Sequence, residues 1–247
     1  MISLQGLRGF GLLLAAGAMS VALGGYCGAE TVLPPTADQY LHSLNEVRKA
    51  GSRQSLQSLY ELAVRSAPGI QAVLRDLSDT QYARLQARME GFLMTRNETA
   101  AVRPSARFFL ELAKKKGTKA DIAFFEAYAA TEPDSSTIFP AYIRQQNANL
   151  GCTIFSGPIL TDLYRRWLTF RTTFPDAYTT EAQGELDAID AELLSGTCAC
   201  ETSEKVAAGL DSFVRAFPDL PIAHKINARV ERIKDGTSNI RFECHVR

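Results

Sequence analysis

The sequence predicts an all-α protein of antiparallel helical hairpins, a bundle or short solenoid, with a short extended C-terminal tail. Three observations predict it. Apolar residues recur at spacings of three and four rather than two through most of the chain. Tetrapeptides that cap helix starts precede several of these stripes. Proline, glycine and asparagine fall between them, where helices stop and turns begin.

The elements follow in order. Thr36-x-x-Gln39 precedes Tyr40, Leu44 and Val47, and Ser78-x-x-Gln81 precedes Tyr82, Leu85, Met89 and Leu93. In each, the hydroxyl accepts from a free first-turn N–H and the Gln side chain reaches back. Thr118-x-x-Asp121 does the same ahead of Ile122, Phe125 and Tyr128. Pro68-Gly69 is expected to end the helix that carries Leu56, Leu59, Leu62 and Ala63. Asn97 to Pro104 reads as a polar linker whose proline suits a first helical turn. Glu132 to Ser136 reads as a loop, and Gly151 and Gly196 as C-terminal caps. From Asn239 to Arg247, Ile240, Phe242 and Cys244 alternate with polar residues, as in an extended segment.

Residues 1–29 have the pattern of a cleaved secretory signal. Arg8 supplies the positive start, Gly11 to Gly25 the apolar run, and Cys27-Gly28-Ala29 small residues for a peptidase. Lipidation of Cys27 is the alternative, but the bulky Tyr26 before it fits such a signal badly. The expected parts are therefore a removed signal at 1–29, an N-terminal helical part at 30–103 and a C-terminal helical part at 104–247. The expected location is the periplasm or the exterior.

That location changes the reading of the cysteines. Cys152, Cys198, Cys200 and Cys244 would mature under oxidising conditions, where four cysteines suggest two disulfides. Cys198 and Cys200 flank a single residue, too close for an unstrained bridge. Each is therefore expected to pair outward, one with Cys152 and one with Cys244. A redox site would want Cys-x-x-Cys, and a zinc site paired spacings beyond His245 beside Cys244; neither pattern is present.

Phe170-Arg171-Thr172-Thr173-Phe174-Pro175-Asp176 is echoed by Phe213-Val214-Arg215-Ala216-Phe217-Pro218-Asp219, and each is followed by a second amphipathic stretch. With Ala182 and Ala223 after the two turns, residues 160–235 resemble the tetratricopeptide-like helical hairpins of bacterial envelope proteins. The resemblance implies stacked helix pairs that bind a protein or peptide. The 34-residue period and the Trp/Leu-Gly/Tyr signature of that family are missing.

Composition narrows the functions. The chain is 46% apolar and 22% charged, as in a packed globular protein. Lys+Arg and Asp+Glu each number 27, so no basic excess points to nucleic acid. After Glu30 no apolar run is long enough to span a membrane. His42 and His224 belong to no metal or triad motif, and Lys114-Lys115-Lys116 suits a helix C-terminus. Trp167 aligns with Leu163 and Phe170 as core. Asn97-Glu98-Thr99 is a glycosylation acceptor only in a host with an endoplasmic reticulum. No catalytic, cofactor-binding or metal-ligating residue is assigned, and no cofactor is expected.

The primary expectation is a non-catalytic helical scaffold, inhibitor or immunity-type binder of a protein or peptide partner in the bacterial periplasm. The first alternative is an envelope hydrolase using an acidic residue between Glu126 and Asp134, where burial would raise a carboxyl pKa. The second is a carrier with an apolar cavity near Phe108 to Tyr128.

Overall fold

The computed structural model describes residues 33–49, 51, 54–96, 100–135, 139–147 and 150–244. The expected signal at 1–29 with Cys27, the Asn97-Glu98-Thr99 acceptor and His245 lie outside the described residues. Val32–Arg247 forms one compact unit. No helix among the described residues is long and apolar enough to cross a membrane.

The protein is mostly helical, with two short antiparallel hairpins. The helices are α1 (Pro35–Arg48), α2 (Leu56–Leu74), α3 (Asp79–Arg88), α4 (Ala106–Lys116), α5 (Lys119–Thr131), α6 (Ile159–Thr173), α7 (Thr179–Ser195), α8 (Ser203–Ala216) and α9 (Ala223–Lys234). The strands are β1 (Phe92–Arg96), β2 (Ala100–Pro104), β3 (Ile143–Gln145) and β4 (Gly151–Thr153). Consecutive helices pair as α1/α2, α4/α5, α6/α7 and α8/α9; α5 packs on α6, and α6 on α8.

Two expected capping boxes form. Ser78 Oγ accepts from Gln81 N at 3.3 Å while Ser78 N donates to the Gln81 side chain at 2.9 Å. Thr118 and Asp121 do the same at 3.2 and 2.6 Å. The Thr36 box does not form, because α1 starts a residue earlier at Pro35, whose fixed φ suits a first helical position.

Pro68 does not end its helix. It lies inside α2, which buries Leu56, Leu59, Tyr60 and Ala63 before the proline and Ala67, Ile70 and Leu74 around and after it. That apolar stripe outweighs the one bond Pro68 cannot donate. Gly69 beside it lets the Pro34 ring approach, where a Cβ would stand 2.9 Å from Pro34 Cγ.

The all-α expectation needs correction at two places. The stripe from Ser78 to Leu93 ends as a helix at Arg88, and Leu93 lies in β1. Gly91, at φ +90°, makes the turn between them, and a Cβ there would collide with Tyr40 and Phe108. Phe92 to Arg96 then pairs with Ala100 to Pro104, so Pro104 ends a strand and Ser105 caps α4 by accepting from Phe108 N at 3.1 Å. Gly151 is no cap either: it opens β4 opposite Gln145, and a side chain there would strike Ile143. Gly196 does follow the last turn of α7.

The two Phe-Pro-Asp turns have nearly the same backbone shape. Phe174 adopts φ −131°, ψ 67° and Phe217 φ −139°, ψ 63°, each donating its N–H to the phenylalanine four residues back. Trp167 is fully buried and donates to Thr131 Oγ1 at 2.9 Å.

The centre of the core is aromatic. Tyr178 sits at φ 48°, ψ 36°, a left-handed conformation that costs an L-residue roughly 1–2 kcal/mol. Its ring stacks on Phe124 at 3.9 Å, its hydroxyl donates to Asp121 Oδ1 at 2.6 Å, and its N–H donates to Gln57 at 3.2 Å. Tyr178→Phe removes only the hydroxyl and is expected to lower unfolding free energy by about 1–2 kcal/mol in urea titration. An unchanged midpoint would show that the hydrogen bond does not help hold the strained turn.

The cysteines stand where the outward pairing requires. Cys152 pairs with Cys200, with alpha carbons 5.0 Å apart, and Cys198 with Cys244, at 5.8 Å. Cys198-Ala199-Cys200 is extended and lies between two neighbours. Thr153 N donates to Cys198 O at 2.9 Å on one side, and Ala199 N to Arg241 O at 2.9 Å on the other. Side chains alternate along an extended chain, so both cysteines leave one face while Ala199 turns into the core. One sulfur reaches back to β4 and the other forward to the tail. Non-reducing peptide mapping is expected to recover these two pairs; a Cys198–Cys200 link would contradict the arrangement.

Candidate functional site

The acidic window from Glu126 to Asp134 divides into three environments. Glu126 is exposed on α5, in a groove shared with Arg165 and Arg166 of α6. Asp134 is structural: its carboxylate accepts from Ala106 N at 2.8 Å and from the Ser105 hydroxyl, closing the start of α4. Glu132 faces an open cleft beside a second carboxyl, that of Glu185 on α7.

Four elements build this cleft of about 750 Å3. The α2 stretch around its internal proline supplies Tyr60, Val64, Ala67, Pro68 and Gln71, with Arg75 just past its end, and β2 supplies Val102 and Arg103. Tyr128 comes from the last turns of α5, Glu132 from just beyond it, and Glu185 from α7. The Tyr60 and Tyr128 rings meet edge to face at 5.4 Å. Val64 is 43% exposed, one of two exposed large apolar side chains among the described residues.

Arg103 is held in place. Its guanidinium donates to the carbonyls of Glu132 at 3.0 Å and Pro133 at 2.6 Å, and lies 3.6 Å from the Glu132 carboxylate. Burial pushes the Glu132 carboxyl up to about 7, with Arg103 opposing. Burial pushes Glu185 up to about 8, the nearby Glu132 charge adding to the rise and Arg103 opposing it. Desolvation thus dominates both carboxyls, and near neutral pH the pair holds protons that exposed glutamates have lost. Burial also keeps Tyr60 and Tyr128 protonated, the latter at about 12. The cleft can therefore donate and accept hydrogen bonds and exchange protons near neutral pH.

Glu185 escaped the sequence reading, although a signal was there. The buried residues of α7 are Ala182, Leu186, Ile189 and Leu193. Glu185 stands three after the first and four before the third, an acid on the apolar stripe. His42 and His224 are exposed on α1 and α9. Among the described residues no three His, Cys, Asp or Glu side chains group as metal ligands. The expected carrier cavity falls at rings that pack on one another: Phe109 on Phe125 at 5.2 Å and Phe124 on Phe125 at 5.1 Å.

No protein-family model matches the chain, and no curated protein or solved structure matches it.

The raised carboxyls tie stability to pH. Each binds its proton more tightly when folded than when unfolded. Their charged forms therefore cost stability progressively as pH rises from the ordinary glutamate range, near 4.5, through about 7 and 8. The melting temperature is expected to fall between pH 5 and pH 9. Glu185→Gln, which keeps the neutral shape, is expected to flatten that fall and to melt higher than the unmodified protein at pH 9. Parallel pH profiles for the two proteins would show that Glu185 ionises freely in the fold.

Proposed function

We propose that the protein is an exported, non-catalytic helical binder of a protein or peptide partner in the bacterial envelope, and that the cleft between α2, β2, α5 and α7 is where the partner docks. The observation that carries this reading is the cleft itself: an open cavity with an apolar wall at Val64, Ala67, Pro68 and Val102 and polar groups at its floor. The signal pattern at residues 1–29 and the two cysteine pairs support export. The paired helices of residues 160–235, with their matching Phe-Pro-Asp turns, support a scaffold of tetratricopeptide-like kind.

A photo-cross-linking residue at Val64 is expected to capture a partner in cells. The same residue at exposed His224, on α9, serves as the control. Capture at Val64 that persists when Ala67→Arg fills the cleft would place docking elsewhere.

One observation favours a second reading, an envelope hydrolase. Glu132 and Glu185 line one cleft with pKa values raised toward neutrality, as a general acid needs. Release of soluble fragments from purified cell-wall material, abolished by Glu185→Gln, would establish it. No release by the unmodified protein would leave the binding reading alone.

A further inference from the structure

We infer that the floor of the cleft receives one cationic side chain, a lysine or arginine presented by a peptide segment, held jointly by Glu132 and Glu185. The inference rests on the peptide-binding reading and names the chemistry of its occupant.

The charges around the cleft point to a cation. Its floor holds two carboxyls, Glu132 and Glu185, and one guanidinium, Arg103. Arg103 is already committed to two backbone carbonyls and to Glu132. Arg75 is exposed at the end of α2, where water screens it from the floor. With both carboxyls ionised, the floor is one positive charge short.

The walls suit the stem of such a side chain. Val64, Ala67, Pro68 and Val102 offer apolar surface to its methylenes, and the buried Tyr60 and Tyr128 rings line the same cleft. The volume of about 750 Å3 exceeds one side chain and leaves room for the peptide on either side.

Occupancy should move protons. Burial keeps protons on both carboxyls, and the Glu132 charge adds to this at Glu185; a cation between them favours the ionised forms. The groups facing the pair are Arg103 from β2, Arg75 from the end of α2, and the Tyr60 and Tyr128 phenols, which stay protonated. Binding near neutral pH therefore releases protons from Glu132 and Glu185.

The test is calorimetric titration of the purified protein at pH 7.5 with two end-blocked peptides, Ala-Ala-Lys-Ala-Ala and the same sequence with norleucine in place of lysine. The lysine peptide is expected to bind at least tenfold more tightly, with a heat that varies with the ionisation enthalpy of the buffer. Glu185→Gln is expected to erase the preference while its helical circular dichroism is unchanged, and Glu126→Gln to keep it. Equal affinity for both peptides would overturn the cation site yet leave a peptide-binding cleft. A lysine preference that survives Glu185→Gln would place the cation elsewhere. Failure of both peptides to bind would overturn the cation site, while capture at Val64 in cells would still decide whether the cleft docks a partner.

Discussion

The fold turns on Tyr178. Its ring lies face to face with Phe124 of α5 and meets Tyr60 of α2 and Phe170 of α6, so a single side chain touches three helices. Its backbone is strained, and the strain is held from two sides: Gln57 of α2 accepts its N–H, and Asp121 of α5 accepts its hydroxyl. Asp121 is also the return arm of the α5 capping box. The start of α5, the start of α7 and the first turn of α2 are thereby set by one connected group of polar contacts inside an aromatic core. Such a group is worth more together than its pairs are separately. The cleft depends on this arrangement, because its floor is made of residues from α5 and α7 and its wall from α2.

The C-terminal half is tied by different means. Arg229 of α9 is buried and donates to the carbonyls of Glu192 and Leu193 in the last turn of α7 and of Gly196 just beyond it. Thr153 of β4 donates its hydroxyl to Glu192 at 2.5 Å. Gly209 of α8 lies so close to the Phe155 carbonyl that no Cβ would fit. The end of α7, the cysteine segment and the α8/α9 pair thus meet within a few residues of one another, and the two disulfides reinforce contacts already present.

Much of the helical architecture was legible because it is local. Ser78/Gln81 and Thr118/Asp121 announce helix starts within four residues, and the Phe-Pro-Asp turns announce stops. The outward pairing of Cys198 and Cys200 followed from the expected oxidising location and from bridge geometry, while the choice between Cys152 and Cys244 for each was left open. What escaped depended on distant contacts. Pro68 looks like a stop until the buried stripe on both sides of it is counted. Phe92–Arg96 pairs with Ala100–Pro104 as strands after Gly91 turns the chain out of α3 under Tyr40 and Phe108, residues far off in sequence or beyond the hairpin. The site was half visible: Glu132 lay inside the acidic window, while Glu185 comes from a helix more than fifty residues later. An acid on an apolar stripe is the trace such a residue leaves, and its meaning appears only when the stripe meets its neighbour.

The two cysteine pairs also interleave. Cys152–Cys200 encloses Cys198, and Cys198–Cys244 encloses Cys200, so the two covalent loops overlap across Cys198-Ala199-Cys200. Every peptide bond from Cys152 to Cys244 lies within at least one loop. A protease that cuts once anywhere in that stretch breaks the backbone but frees no fragment, and the severed ends stay tethered close to where they were. The same cut before Cys152 splits the chain in two. That is damage tolerance written into the connectivity, and it covers the α6/α7 and α8/α9 pairs entirely.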